Sequence, residues 1–428
     1  MTVPTQKPFD IAIVGGGIAG VTLVIGLLHN NVPVTLYEAA PRFGEIGAGV
    51  AFGPNAVRAM KLIDPRIAEG FAKVATQNQW ESKRDLWFDF RYGDGTHAEK
   101  HGGEVRDLIH PLYCPGGQAF THRAHFLDEM VKFVPDGVAV FGKRLVDIED
   151  KGGEDGVLLK FADGSTARHS AVIGCDGIKS RTREILLGKD HPAARAVYSG
   201  KYAYRGLIPM DKAVELLGEE LARNGQMYMG KGGHLLTFAI EKGKTMNVVA
   251  FSSSDSWDSD AWVVPTTKDK MMADFTGWSK SVESILTLMQ KPDIWALFNH
   301  PPCETYYKGR VCVQGDAAHA STPHQGAGAG MAIEDSYILS NLVAAAKDAS
   351  GIESAFKAFD AVRRERTQRL VKTSREAGQL YDFELPGVGD NVDKIKENLD
   401  GRMGWIWDED LQAEFEKGKK LMNGRSNL

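Results

Sequence analysis

Asp10-Ile11-Ala12-Ile13-Val14-Gly15-Gly16-Gly17-Ile18-Ala19-Gly20 is the stretch that decides the fold. Its first half, Ile11 to Val14, is a short apolar run of the kind a strand buried on both faces requires. Its second half matches the G-x-G-x-x-G pattern. Gly15 permits the tight turn, Gly17 lets the backbone approach a pyrophosphate, and Gly20 lets the following helix pack close to the strand. The sequence predicts that helix over Ile18 to His29, with its free N–H groups and positive dipole end aimed at the phosphates. A second strand, Val34 to Tyr37, leads to Glu38, a carboxylate placed for ribose hydroxyls and repellent to a 2′-phosphate. Strand, helix and acid together turn a common glycine pattern into a dinucleotide site, without choosing between nicotinamide and flavin.

Two further turns carry the choice. Val172-Ile173-Gly174-Cys175-Asp176-Gly177 reads as a strand entering a turn, followed by Ser180 and Arg183; alone it is an ordinary Asp-Gly turn. Val311-Cys312-Val313-Gln314-Gly315-Asp316 is again a buried strand ending in a turn. The small-residue stretch from Ala317 to Gly330 would let a flat ring system lie against the backbone. A helix is predicted from near Met331 through Ile338, Leu342 and Val343. Asp316 can accept hydrogen bonds from ribityl or ribose hydroxyls. The helix N-terminus can face the pyrimidine edge of a flavin and stabilise the negative charge of its reduced form. Three such signals, far apart in one chain, point to one extended dinucleotide, and FAD fits.

At 428 residues the chain is long for one compact domain, and two interleaved domains are expected. Apolar content of 43% and charged content of 25% are those of a soluble globular protein, and a net charge of −5 gives no reason to expect nucleic acid. Cys114, Cys175, Cys303 and Cys312 form no CxxC pair, which argues against a zinc site and against a disulfide framework, and no metal ligand set is expected. That usage fits a reducing, cytoplasmic setting. The N-terminus lacks an apolar signal core, and no apolar stretch approaches the length of a membrane span.

Several phrases carry a resemblance: Glu45-Ile46-Gly47-Ala48-Gly49-Val50, Tyr204-Arg205-Gly206-Leu207-Ile208-Pro209, Pro323 to Gly330, Ile333-Glu334-Asp335, and Trp405-Ile406-Trp407. With the three glycine motifs, they resemble the class A flavoprotein aromatic hydroxylases of the para-hydroxybenzoate hydroxylase-like fold. The wording is nearest the salicylate hydroxylase-like branch, from about residue 8 to about residue 415. The expected architecture is α/β. A Rossmann-like FAD-binding domain (8–75, 111–185 and 286–370) is interleaved with an antiparallel-sheet substrate domain (76–110 and 186–285), and 371–428 form a C-terminal helical region. The resemblance implies FAD contacts at Gly15, Gly17, Gly20, Glu38, Arg123, Asp316 and Ala329, with Ala51 near the flavin. Arg123 lies in Thr121 to Leu127, which looks like the family's arginine-plus-leucine helix. Asp176-Gly177 would serve FAD and NAD(P)H together. No second G-x-G-x-x-G follows, so NADH or NADPH would visit only transiently while FAD stays bound non-covalently.

Between the second and third motifs, strand character over Tyr198 to Leu207, Gly225 to Ile240 and Thr245 to Phe251 suggests an antiparallel sheet roofing the flavin. Arg205 stands among apolar and aromatic neighbours and wants a carboxylate partner or an anionic substrate. The resemblance implies that Arg205 and Tyr228 hold a substrate phenolate. His234 could act as a general base, and His324, beside the flavin loop, could stack on substrate. The implied reaction is hydroxylation of a small aromatic by NAD(P)H and molecular oxygen through a flavin C4a-hydroperoxide, in a monomer or homodimer. Salicylate or a larger polyketide-type phenol would suit. A flavin-dependent oxidase or dehydrogenase would share the first motif but show a covalent attachment residue or another cap. A non-catalytic flavin-binding protein would lack substrate-stimulated NAD(P)H oxidation. The arginines of the predicted helix from Ser354 to Gln379, among them Arg363 and Arg366, read as a solvated face.

Overall fold

The wholly buried strand Ile11–Val14 sits inside a six-stranded sheet. It pairs in parallel with Ala171–Gly174 on one side and Val34–Glu38 on the other. Val311–Val313 in turn pairs in parallel with Ala171–Gly174. Register does the work here: Val14 lies opposite Tyr37 and opposite Gly174, and Gly174 lies opposite Val313. The loops that leave these strands, at Gly15, Glu38, Cys175 and Gln314, therefore emerge together at one sheet edge. Open parallel sheets bind ligands at that carboxyl edge. Residues 6–44, 49–100, 108–152, 155–289 and 293–424 are described by this structure, a computed structural model.

The second large sheet has eight strands in the order Val263–Pro265, Asp293–Asn299, Val197–Pro209, Thr245–Ser253, Gly233–Ile240, Gln226–Gly230, Leu86–Tyr92 and Leu108–Tyr113. It departs from the all-antiparallel expectation at one place. Leu86–Tyr92 arrives from far upstream and pairs in parallel with Gln226–Gly230. Strand alternation divides its side chains between two cores. Ala203, Met227, Met229, Leu236, Phe238, Val249 and Phe251 share one apolar cluster. Tyr202, Tyr204, Tyr228, Leu235, Val248 and Ala250 join Met271, Trp278 and Leu286 in the other.

The third motif is more helical than its glycines suggest. Asp316–His319 forms a helical turn, Pro323–Gln325 a 3-10 turn, and the following helix already starts at Gly328 and runs to Ala345. The helix Ile352–Tyr381 leaves Arg369 and Arg375 exposed but corrects the solvated-face reading at Arg363 and Arg366. Arg363 is completely buried and donates to Glu334, Asp335 and Glu414, each at 2.8 Å. Arg366 donates to Glu334 and Glu409 at 3.0 Å. Carboxylates on three other segments draw these guanidinium groups inward, since a buried charge is tolerable only when paired and hydrogen-bonded. No helix among the described residues is long and apolar enough to cross a membrane.

Candidate active site

A cavity of about 670 Å³ lies between the carboxyl edge of the parallel sheet and one face of the eight-stranded sheet. On the first side it is lined by Gly15, Gly16, Gly17, Glu38, Cys175, Asp176 and Gly177. Gly15 holds φ +105°, and a Cβ there would strike the Cys175 carbonyl, so both conformation and space demand glycine. Gly20 does not line the cavity; a Cβ there would strike the Gly15 carbonyl, and its part is to let the helix Ile18–His29 lie against the strand. Glu38 is pinned by backbone N–H groups, accepting from Gly16 at 2.6 Å and Ala40 at 2.7 Å.

Two helices begin at this cavity. Ile18–His29 starts after Gly17, and Gly328–Ala345 after Ala327; neither start has a side-chain cap or an acidic residue in its first turn. Their open N–H groups and positive dipole ends suit a pyrophosphate and an electron-rich ring edge. Together with the pinned Glu38 carboxylate, this donor set fits FAD. Ala51, Arg123, Asp316 and Ala329 also line the cavity, Arg123 as the first residue of the helix Arg123–Val131. Of the phrase beginning at Glu45, residues Glu45 to Ala48 lie outside the described residues.

Asp176 lines the cavity, but its carboxylate serves its own turn. It accepts from Ser180 Oγ at 2.5 Å and from Thr182 N and Oγ1 at 2.9 and 3.0 Å. Burial raises its pKa against the pull of those bonds. Buried Arg183 then donates to the Ala318 carbonyl at 2.6 Å and locks the second motif to the third. Asp335 performs a similar task, accepting from Gly315 N at 3.1 Å, His319 Nε2 at 2.6 Å and Arg363 Nε at 2.8 Å. Burial opposes its ionisation, yet His319 and Arg363 outweigh it and bring Asp335 to about 2.

The other side of the cavity is made of side chains. Met227, Leu236, Phe238, Val249 and Phe251 face inward, and Phe120 stacks on Phe238 with ring centroids 4.3 Å apart. Among them stands Arg205, whose guanidinium lies over Trp295 at 4.8 Å. Its Nε is shut away from water without a hydrogen bond, and no carboxylate of the described residues pairs with it. Burial first, and then the nearby Arg123, lower it to about 10, so it remains a cation at neutral pH.

Two expected catalytic residues need correction. Tyr228 does not reach the cavity. Alternation along Gln226–Gly230 gives the cavity side to Met227 and Met229 and turns Tyr228 into the opposite core, where its hydroxyl has no hydrogen bond. His234 has the right parity, with Leu236 and Phe238, but lies at the start of its strand and lines no part of the cavity. It is completely buried, stacked on Phe251 at 4.3 Å and hydrogen-bonded to Asp382 and His324. His324 is the histidine that lines the cavity. Sequence reasoning missed Lys201 and Asp382, which bond each other from 181 positions apart. The signal for Lys201 was its parity with Arg205 on one strand; Asp382, just past a helix end, gave none.

Comparison with known proteins agrees with this geometry. Residues 8–374 match the FAD binding domain family. The chain is 43% identical over 409 residues to 6-methylsalicylate 1-monooxygenase of Aspergillus terreus, covering 95% of this chain and 90% of that one. It is 40% identical over 426 residues to a salicylate hydroxylase of Pseudomonas putida, covering 96% and 94%. Among solved structures, a salicylate hydroxylase substrate complex superposes with a TM-score of 0.85 at 39% identity, covering 97% of this chain and 98% of that one.

Proposed function

Since the chain belongs to the FAD-binding family of flavoprotein aromatic monooxygenases, we propose that it hydroxylates a small phenolic acid of the salicylate type, anchored through its anionic group on Arg205. The observation that carries this reading is Arg205 itself, a cation facing the cavity with no carboxylate partner among the described residues. Such a group is costly until an anion meets it.

FAD would lie along the first side. The backbone at Gly15 to Ala19 and the helix start behind it take the pyrophosphate, Glu38 the ribose, and Asp316 with the start of Gly328–Ala345 the ribityl and pyrimidine portion. Bound FAD supplies reduction by NADH or NADPH and activation of molecular oxygen. The residues of this chain do the rest. Arg205 holds the substrate anion and favours loss of the phenolic proton. Met227, Leu236, Phe238, Val249 and Phe251 clamp the ring and exclude water, which fixes the reacting carbon.

A panel of salicylate, 6-methylsalicylate and phenols without a carboxylate tests this, scored for stimulated NADH or NADPH loss and for product mass. The carboxylated phenols should stimulate oxidation and gain one oxygen, with or without loss of carbon dioxide. Equal stimulation by uncharged phenols would remove Arg205 as the anchor. No stimulation by any phenol would remove the substrate class.

A further inference from the structure

The register of the eight-stranded sheet places four cavity residues in one straight row. Arg205 lies opposite Val249, Val249 opposite Leu236, and Leu236 opposite Met227. All four line the cavity. Neighbouring strands lie about 4.8 Å apart, so the row runs about 14 Å from its cation to its thioether. The Arg205 guanidinium lies over Trp295, which stands on the strand Asp293–Asn299, on the side away from Val249. The charge therefore sits at one extreme end of the row.

Two rings wall the row. Phe238 is two residues past Leu236, and Phe251 two past Val249. Those strands are antiparallel, so the rings stand on opposite sides of the row. Each is braced by another ring, Phe238 by Phe120 and Phe251 by His234, both at 4.3 Å between centroids. At the end away from Arg205, Gly225, two residues before Met227, leaves a gap that Phe88 fills: a Cβ there would sit 3.1 Å from Phe88 Cδ1. Phe88 and Trp87 both line the cavity, and the Trp87 Nε1 is shut away from water without a hydrogen bond. The result is a slot with a cation at one end and apolar side chains along its floor, its walls and its far end.

A single aromatic ring spans about one strand spacing. A phenolic acid held by its carboxylate on Arg205 thus covers Val249 and part of Leu236 and leaves Met227 uncovered. Apolar floor in a closed slot gains from hydrocarbon and rejects a second charge. Met227 is unbranched and polarizable, which lets it settle around chains of different length.

We propose that the preferred substrate is a phenolic acid carrying a short alkyl chain on the ring edge away from its carboxylate, and that Met227 sets the length of that chain. On salicylate, such a chain sits at C4 or C5. A chain at C6, beside the carboxylate, points across the row into Phe238 or Phe251 instead. Met227 is a specificity residue and takes no part in making or breaking bonds.

This inference rests on the phenolic acid reading and deepens it, and one titration series separates the two. The FAD-loaded enzyme is titrated with salicylate, with its 4-methyl, 4-ethyl, 4-propyl and 4-pentyl derivatives, and with the matching 6-alkyl series. Perturbation of the flavin absorbance gives Kd, and stimulated NADH or NADPH oxidation is scored in parallel. In wild type, Kd should fall about fourfold for each carbon added at C4 up to propyl, the value of about 0.8 kcal/mol per buried CH2. Along the 6-alkyl series it should stay level or rise. Met227→Phe, which fills the far floor, should weaken 4-propylsalicylate at least about tenfold and salicylate less than about threefold. Met227→Ala should move the optimum to a longer chain than in wild type, and it carries the test if the larger side chain prevents folding. A level C4 series, or equal slopes in the two series, would overturn the slot, while oxidation stimulated by salicylate keeps the substrate class intact. An unchanged order of chains in the folded variants would remove Met227 as the gauge. No binding and no stimulated oxidation with any member of either series would overturn both readings.

Discussion

Arg363 and Arg205 both point inward, and their surroundings are opposite. Under the third glycine motif, Arg363 is completely buried and donates to Glu334, Asp335 and Glu414. On the aromatic side of the cavity, Arg205 has Trp295 behind it, no carboxylate partner among the described residues, and an Nε without a hydrogen bond. A guanidinium saturated by the protein's own carboxylates is part of the framework. One left uncompensated at a cavity is set for an anion from outside. The comparison breaks if Arg363 can be removed cheaply or if Arg205 proves to hold up the fold.

Arg363→Met should have the largest effect. It takes one guanidinium from the fully buried Glu334 and Asp335, which keep only Arg366 and His319 as charged partners, and breaking one partner of a buried ion network costs about 3–5 kcal/mol. Chemical denaturation of the FAD-loaded enzyme measures this. The turn at Gly315 should loosen as well, because Asp335 binds its N–H, so FAD retention should fall with stability.

Acid probes the same network more gently. Asp335 ionises at about 2 against an ordinary 3.8, because His319 and Arg363 outweigh burial. A depressed carboxylate contributes stability that is present above the unfolded value and disappears as pH falls through the folded one. Between pH ~4 and ~2, Asp335 should therefore surrender about 2–3 kcal/mol. A denaturation series across that window should show the loss, and Arg363→Met should flatten it.

The same contrast explains what the sequence could disclose. The dinucleotide side is built from backbone, and the residues that shape it declare themselves: Gly15 by its φ and close approach, Glu38 by its place at a strand end. The aromatic side is built from side chains on strands far apart in the chain. One-residue parity decides which of them face inward, and no local pattern announces that Tyr228 turns away while Met227 and Met229 turn in. The arginine helix misled for a related reason. Helical spacing makes Arg363 and Arg366 look solvated until carboxylates on other segments close over them.

Arg205→Met sharpens the comparison from the other end. Removing an uncompensated cation should leave the denaturation midpoint unchanged or raise it. The KM for a phenolic acid should rise about 10- to 100-fold, the value of one or two charge-assisted hydrogen bonds. NAD(P)H oxidation should also become uncoupled from hydroxylation, read as hydrogen peroxide formed per cofactor consumed. Loss of stability with unchanged KM and coupling would place Arg205 in the framework beside Arg363.

Tyr228→Phe should have the smallest effect, and it bears on the pairing of Arg205 with a tyrosine that the family resemblance implied. The hydroxyl is buried on the face away from the cavity and has no hydrogen bond. Burial, with Asp89 nearby, pushes its phenol up to about 12, so it supplies no charge near neutrality. Deleting an unsatisfied buried hydroxyl removes a desolvation cost without breaking a bond, so stability should hold or rise by up to about 1 kcal/mol. Turnover, KM and coupling with a phenolic acid should stay within twofold of wild type. A tenfold fall in coupling would mean that the phenol reaches through the sheet to substrate, and the division of this sheet into a cavity face and a structural face would have to be abandoned.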